Sequence, residues 1–457
     1  MSPRSVSAFS VLLTGALLAG CAQGSGSEDS PDANYDSDAK LSGQLTVMGF
    51  GAGDEVATVR MDEAKAAMGD VDVELIEGDL DIQQFLSSVA SGEPPEIVYA
   101  DRNQIGTFAS RGAVIPLTDC IKGEGIDTGV FREAALDQVT FDGDVYGIPE
   151  FNVVQIIQAN ADLLAQAGLT VEDVNGSSWE SVTAANQALM RRDGGKLSVI
   201  GFDSKLPEFL PLWAKANGVD LISDDGRTAT LDQPEVVEAL KFAVGIYDAQ
   251  GGFSDVKAFR DSADFFGEGN QFAVGSLGAM PMEQWYVNVL NDVSPAAPMA
   301  FDTVRTRKGE PIAYASGSAW AIPKGSKNPE AACRFARVMT DTASWVKAAE
   351  ERVRLRKQEG GIFTGLLTGN ADADEQIRAL VTSSGDPKWD TAVEKVYEAN
   401  DNTFSLPANP AGEEFETAWQ DAVNRVLNGQ QEPDEAMKQA QDEAQKALDD
   451  AWSEWDD

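Results

Sequence analysis

Histidine is absent from all 457 residues. Without it the chain has no Ser-His-Asp or Cys-His nucleophile system and none of the usual zinc ligand sets. Glycoside hydrolysis on two carboxylates survives this exclusion, because it needs no imidazole. Basic residues are scarce: 35 Lys and Arg stand against 75 Asp and Glu, a formal charge of −40. Phosphate-backbone binding needs a basic surface, so nucleic acid is excluded as a partner. Peripheral attachment to anionic lipid is disfavoured for the same reason. The acidity itself implies solubility, in a salty medium if need be. No apolar run reaches the length of about 20 residues that a spanning helix requires. Cysteine occurs three times, as Cys21, Cys120 and Cys333.

What is present begins with a short apolar run. Residues 6–20 carry no charge and follow Arg4, the layout of a secretory signal. The run ends Leu18-Ala19-Gly20-Cys21. This stretch resembles the bacterial lipoprotein signal, which implies that Cys21 takes the lipid and becomes the mature N-terminus. The plain alternative is an ordinary signal peptide with an incidental cysteine. Residues 1–20 are therefore expected to be the signal and 21–40 a flexible tether, rich in Gly, Ser and acidic residues. Cys120 and Cys333 are then an even pair in an oxidising compartment, either bridged or two separate buried thiols.

The remaining chain is long enough, and with 43% hydrophobic residues apolar enough, for two or more domains. From residue 41 the pattern alternates. LTVMGF predicts a strand, DEVATVRMDEAKAAMG a helix, VDVELIEG a strand, DIQQFLSSVASG a helix, EIVYAD a strand and QIGTFASRG a helix. This β-α-β-α-β-α order predicts an α/β fold with a parallel sheet, whose ligands sit off the strands' carboxyl ends. Helices dominate thereafter. Ser177 and Glu180 have capping-box spacing, Asp232 and Pro234 open a helix, and so do Asn328 and Pro329. Phe415, Ala418, Trp419, Ala422, Val423 and Val426 make one apolar face. In the last helix the stripe is Met437, Ala440, Ala444, Ala447, Ala451 and Trp455.

Four segments then carry a resemblance. They are FLSSVASGEPPEIVYADRNQIGTFASRGAVIPLTD, FDGDVYGIPEFNVVQIIQANADLLAQAGL followed by SWESV, FAVGSLGAMPMEQW, and GSAWAIPKGSKNPEAACRFARVMT. The C-terminal NGQQEPDEAMKQAQDEA supports them. In this order they resemble the extracellular solute-binding lipoproteins of bacterial ABC importers, in the sugar-binding branch that includes the maltose-binding protein family. The resemblance spans most of residues 41–450 and departs from the family at QIIQAN, where neighbouring tyrosines are absent, and between residues 345 and 410. It implies a type II periplasmic-binding-protein fold, two α/β lobes with a ligand cleft between them and hinge crossings joining them. One lobe would hold residues 41–150 and 302–341, the other 151–301 and 342–457. Cys120 and Cys333 then fall in one lobe, which favours the disulfide.

A sugar offers hydroxyl edges and apolar ring faces, so its site needs carboxylates, amides or Arg together with aromatics. Asp101 and Arg102 follow a strand, and the family uses such a pair on hydroxyls; the alternative is a surface ion pair. Phe50 and Asp54 follow the first strand, where Phe50 is equally a core residue and Asp54 a helix cap. Glu150 and Asn152 stand at the expected hinge crossing, from which they would reach the cleft floor. Trp285 is expected to stack on a sugar ring, with Glu283 and Gln284 beside it on hydroxyls. In YASGSAWAIPK, Gly317 permits close backbone approach, Ser318 faces the cleft and Trp320 stacks or packs beneath the strand. Trp213, Trp345, Trp389 and Phe404 carry no assignment.

The resulting expectation is a lipid-anchored binding protein on the outer face of the cytoplasmic membrane. It captures a di- or oligosaccharide by lobe closure and hands it to permease subunits. It works as a monomer without cofactor or metal, and without catalysis. The alternatives are the same fold with a glycerophosphodiester or polyol, a glycosidase using Asp101 and Glu150, and a surface adhesin.

Overall fold

The computed structural model describes residues 33–456; the signal, Cys21 and most of the tether lie outside the described residues. Residues 34–40, expected as tether, are docked. The Arg334 guanidinium donates to the Asp36 and Ala39 carbonyls, and the Asn34 amide to Glu330. Burial, with Glu330 and Asp119 nearby, pushes the Tyr35 hydroxyl up to about 12.

Two five-stranded sheets organise the rest. The strands are β1 (Ser42–Met48), β2 (Asp70–Ile76), β3 (Ile97–Asp101), β4 (Ile148–Pro149), β5 (Gln155–Asn160), β6 (Arg191–Asp193), β7 (Lys196–Phe202), β8 (Leu277–Glu283), β9 (Met299–Thr303) and β10 (Ser318–Ala321). The first sheet has the order β2-β1-β3-β10-β4, the second β9-β5-β8-β7-β6. β1, β2 and β3 are parallel, as their helical connections require, and β10 returns antiparallel to β3 and β4. In the second sheet β7 and β8 are parallel, so their carboxyl ends share one edge.

The helices used below are α1 (Glu55–Met68), α2 (Ile82–Ser91), α3 (Arg102–Ser110), α4 (Thr118–Glu124), α5 (Trp179–Leu189), α6 (Pro234–Asp248) and α7 (Trp285–Val293). They continue with α8 (Pro329–Thr340), α9 (Thr342–Glu359), α10 (Ala371–Leu380), α11 (Pro387–Asn400), α12 (Gly412–Leu427) and α13 (Pro433–Asp456). Local chemistry sets their starts. Asp54 and Asp81 accept the Ala57 and Gln84 amides and cap α1 and α2. Ser178, rather than Ser177, caps α5 by accepting the Ser181 amide. α12 buries the face read from its sequence. α13 turns slightly from its expected stripe, so that Leu448 and Trp452 are buried where Ala447, Ala451 and Trp455 were expected.

A Cys120–Cys333 disulfide joins α4 to α8, with Cα atoms 5.7 Å apart. The first lobe's core surrounds it. Trp320 is fully buried there, its ring 5.1 Å from Phe50, 4.8 Å from Tyr99 and 5.1 Å from Phe335.

The partition of the chain differs from expectation at two places. Asp302 and Thr303 belong to β9 of the second sheet, paired with β5. α9, expected with the second lobe, lies on α1 of the first: Trp345, Ala348 and Ala349 form one apolar cluster with Val56, joined by Ala373 and Ile377 of α10. Only from α11 does the chain return to the second sheet, with Trp389 against Phe301.

Candidate functional site

The carboxyl ends of β1 and β3 in one sheet, and of β7 and β8 in the other, are where a ligand between the lobes would be held. The floor beneath is made by the crossings. A Cβ at Gly317, which sits at φ +147, would collide with the Phe151 carbonyl, so the second crossing passes against the first only as glycine. The Arg102 guanidinium donates to Asn152 Oδ1 at 2.8 Å and to the Ser316 carbonyl. Asn152 Nδ2 donates to Asn400 Oδ1 at 2.6 Å, and Asn400 Nδ2 to Asp374 Oδ2 at 2.8 Å. Asp374 also accepts from Arg132 Nε at 2.9 Å and from the Thr368 amide at 2.8 Å. A continuous polar relay thus runs from α3 through the hinge to α10. Burial pulls the Arg102 guanidinium down to about 10, and pushes the Asp374 carboxyl up to about 6 against the pull of Arg132.

Several expected ligand groups are engaged in this framework. Glu150 is fully buried, paired with Arg60 Nη1, accepting the Tyr99 hydroxyl and the Phe151 amide at 2.9 Å. It anchors the crossing and does not reach the cleft. Arg60 in turn lies 3.6 Å over the Trp345 ring. Arg102 and Asn152 are likewise buried and take part in the relay, and Arg102 Nε and Nη1 have no partner among the described residues. Phe50 and Trp320 are core, because each ring completes the aromatic cluster on Tyr99. Asp54 caps α1 and pairs with Arg352.

Others stand together at the strand ends. Ser318 Oγ lies 3.5 Å from Asp101 Oδ1. Burial raises the Asp101 carboxyl, opposed by Ser318, with Asp79 raising it and Arg102 lowering it. Opposite, at the end of β8, Trp285 Nε1 donates to Glu283 Oε2 at 2.6 Å. The Glu283 carboxyl is raised by burial against the indole N–H and Lys205. Gln284 spans back to the floor, accepting the Val154 amide at 2.9 Å and donating to the Asn152 carbonyl at 3.3 Å. Trp285 opens α7. Phe266, 65% exposed, is stacked on it at 6.2 Å and 17°.

Four neighbours escaped the sequence reading. Lys205, φ +56, follows β7 and faces Glu208 and Glu283. Its backbone is fixed by Asp203 Oδ1, which accepts the Lys205 amide at 3.0 Å and the Tyr247 hydroxyl at 2.7 Å. Burial alone would raise Asp203, but Arg260, at 3.0 Å, with Lys205 and Tyr247 holds it below the usual carboxylate range. The strand-end rule, applied to LSVIGF as it was to the first strands, would have found Lys205. Asn103 donates to Glu416 at 2.7 Å, and burial raises the Glu416 carboxyl, with Asp101 adding to it. Glu416 sits between Phe415 and Trp419 and carries no sequence signal of its own. Phe266 is marked only by the aromatic pair in ADFFGEG.

The arrangement sets an aromatic face beside carboxylates able to accept from hydroxyls, the combination suited to a polyhydroxylated ring. Among the described residues no group of three or more His, Cys, Asp or Glu could hold a metal ion, and no helix is long and apolar enough to cross a membrane.

A family model described as bacterial extracellular solute-binding protein matches residues 60–353, well over half of the chain. The maltooligosaccharide ABC transporter solute-binding lipoprotein of Streptococcus pneumoniae is 23% identical over 263 residues, 54% of this chain and 55% of that protein. The maltodextrin-binding protein MdxE of Bacillus subtilis is 24% identical over 349 residues, 74% of this chain and 73% of its own. The chain spans 36% to 55% of the length of the first curated relatives it matches. Among solved structures, CpMnBP1 with mannotriose bound superposes with a TM-score of 0.70 at 23% identity, over 88% of this chain and 99% of that one, a likeness of fold.

Proposed function

We propose, for a chain that belongs to the bacterial extracellular solute-binding proteins, that it captures a di- or oligosaccharide between its lobes and delivers it to the permease of an ABC importer. The observation that carries this reading is the end of β8, where Trp285 presents an indole whose N–H is held by Glu283, with Phe266 and Lys205 beside it. The opposing edge supplies Asp101, Ser318, Asn103 and Glu416. We place the first lobe at residues 34–150 and 318–380, and the second at 151–303 and 387–456; α12 also touches α3. The relatives named for maltooligosaccharides and maltodextrins favour the sugar class.

Ligand touching both edges binds the closed form better and shifts the population towards it. Glu150 is unsuited to serve as the second carboxylate of a glycosidase, because Arg60 and Tyr99 occupy it. A phosphodiester would have to compete for Lys205 with Glu208 and Glu283, which it already faces, while Arg102 is turned to Asn152 and Ser316.

The test is thermal unfolding against a panel of mono-, di- and oligosaccharides, polyols and phosphodiesters. A sugar at 100 times its dissociation constant adds about 2.7 kcal/mol. The shift should appear with one sugar class, without product, and vanish in Trp285→Ala. A shift with phosphodiesters alone, or none at all, would sink the sugar reading. Attachment through lipid on Cys21 belongs to the same proposal. Cys21→Ser should release the chain from membranes, and retention of the variant would refute the anchor.

A further inference from the structure

Residues 34–40 do not hang free of the first lobe. They lie across the two helices that the disulfide joins. On α4, Cys120, Gly123 and Glu124 share one face, and on α8 so do Glu330, Cys333, Arg334 and Arg337, at the three- and four-residue spacing that aligns side chains on a helix. These faces meet at a seam. Within it the buried Glu124 takes both Arg334 and Arg337 at 3.0 Å. Arg334 then reaches outward to the segment, with Nη1 on the Ala39 carbonyl at 2.8 Å and Nη2 on the Asp36 carbonyl at 2.6 Å. The Asn34 amide donates to Glu330 at 3.1 Å. On the α4 side, the Tyr35 backbone passes so close to Gly123 that a Cβ there would collide with the Tyr35 carbonyl. The Tyr35 side chain packs against the apolar cluster that holds both cysteines.

The two sides of the seam are closed in different ways. Inside, Leu117, Trp320 and Phe335 belong to the same core as the sulfurs, and opening that wall means unfolding the lobe. Outside, the wall is a segment without helix or strand, in which Asn34, Asp36, Ser37, Asp38 and Lys40 are exposed. Its acidic residues also sit near Glu330, Asp119 and Glu124, with like charge. A segment of this kind opens locally at far smaller cost than the core beneath it. We infer that residues 34–40 are a strap that guards the Cys120–Cys333 bridge: docked, it denies a dithiol reductant access, and lifted, it lets the bridge be reduced while the rest of the chain stays folded. Reduction then runs by two exchanges. A thiolate of the dithiol attacks one sulfur and displaces the other, which takes a proton. The second thiolate of the dithiol displaces the remaining protein sulfur from the mixed disulfide. The protein gains two electrons and two thiols, and the reductant leaves as a disulfide. The strap thereby makes the covalent closure of the first lobe a redox-sensitive switch. This is independent of the sugar reading.

The test is made on the full chain in native buffer with dithiothreitol, at about pH 8 where part of the dithiol is thiolate. Thiols are trapped with iodoacetamide at intervals and counted at Cys120 and Cys333 by peptide mass spectrometry. The wild type should stay oxidised. Gly123→Ala drives a methyl group into the Tyr35 backbone, while alanine suits a helix interior better than glycine, so the strap is displaced and α4 is not weakened. Its bridge should be lost at least about tenfold faster than that of the wild type. Tyr35→Ala, which withdraws the strap's side chain from the cluster, should act in the same direction and keeps the test open if the first variant fails to fold. In either variant the rate should stay flat as urea is raised below the unfolding transition, because lifting a short segment exposes little surface. A bridge that survives in the folded variants as long as in the wild type overturns the guard. So does a wild type reduced as fast as they are, and so does a rate that climbs with urea in step with global unfolding.

Discussion

At the scale of single residues, the same carboxyl chemistry serves two purposes, and burial partners decide which. Glu283 and Asp101 keep open positions at strand ends, whereas Glu150 and Asp374 are consumed by the hinge. Asp374 gives the clearest consequence. Its carboxyl is raised from 3.8 to about 6 because burial outweighs Arg132. The folded state therefore binds this proton more tightly than the unfolded state does, and the group's contribution to stability is present below about pH 4 and lost as pH rises through about 6. Two pKa units correspond to on the order of 3 kcal/mol. Urea unfolding of wild type and Asp374→Asn between pH 4 and pH 7 should show the wild type losing that much stability relative to the variant across the window. Parallel curves would mean that Arg132 and Thr368 hold Asp374 ionised throughout. The residue scale is also where the sequence was least legible. Trp285 with Glu283 could be found because adjacency in the chain makes them adjacent in space. Glu150 could not be read as buried, because its partner Arg60 lies 90 positions away and is delivered by α1. Trp320 likewise hides its fate in Phe50, Tyr99 and Phe335, which come from three distant parts of the chain.

At the scale of elements, the first three strands and their helices were legible because period, caps and glycine stops agree locally. α9 was not, because its sequence has no strongly one-sided apolar pattern and its place is set by tertiary contacts. It lies on α1 through Trp345, and its charged residues reach in two directions. Arg352 pairs with Asp54 and Glu55 at the start of α1. Arg356, one helical turn on, pairs with both oxygens of Asp292 on α7 at 2.8 and 3.0 Å. α9 thus ties the helix that follows β1 in one sheet to the helix that follows β8 in the other, beside the cleft. Both partners of the second pair are partly exposed, so it contributes no more than about 1 kcal/mol to stability. Its effect on lobe separation should be larger than on stability, because few other bonds join α9 to α7. Spin labels at Glu77 and Ser262, one on each lobe, should give a broader distance distribution in Arg356→Ala than in the wild type, with the unfolding midpoint nearly unchanged. An identical distribution would show that the hinge relay alone fixes the opening. High salt should mimic the variant, since exposed pairs are screened.

At the scale of the whole molecule, the chain's path makes the disulfide more than a local staple. The first lobe is discontinuous: β1 to β4 come before the entire second sheet, and β10 and α8 after it. The two parts are stitched by β10 beside β3 and β4, and by Cys120 to Cys333 across a separation of 213 residues. In the unfolded chain the bridge closes a loop containing all of β5 to β9, and a loop of that length carries an entropic constraint of about 5 kcal/mol, the upper end of what disulfides deliver. The double variant Cys120→Ser, Cys333→Ser should therefore lose about 2–5 kcal/mol in urea unfolding. The loss should fall first on the cluster around the bridge, because both cysteines are buried in it beside Trp320 and Phe335, while Trp213 and Tyr247 lie in the other apolar cluster, which also takes in Phe85, Val98 and Phe108 of the first lobe. Reductant should leave the native wild type untouched, since both sulfurs are inaccessible, and should lower its stability to that of the variant only after unfolding has exposed them. Tryptophan fluorescence during urea unfolding would separate the lobes. If the variant loses the Trp320 signal at lower urea while that of Trp213 keeps its midpoint, the bridge is what holds the split lobe together. Coincident midpoints shifted equally would mean instead that the hinge relay couples the lobes into one cooperative unit, and that the bridge stabilises both through it.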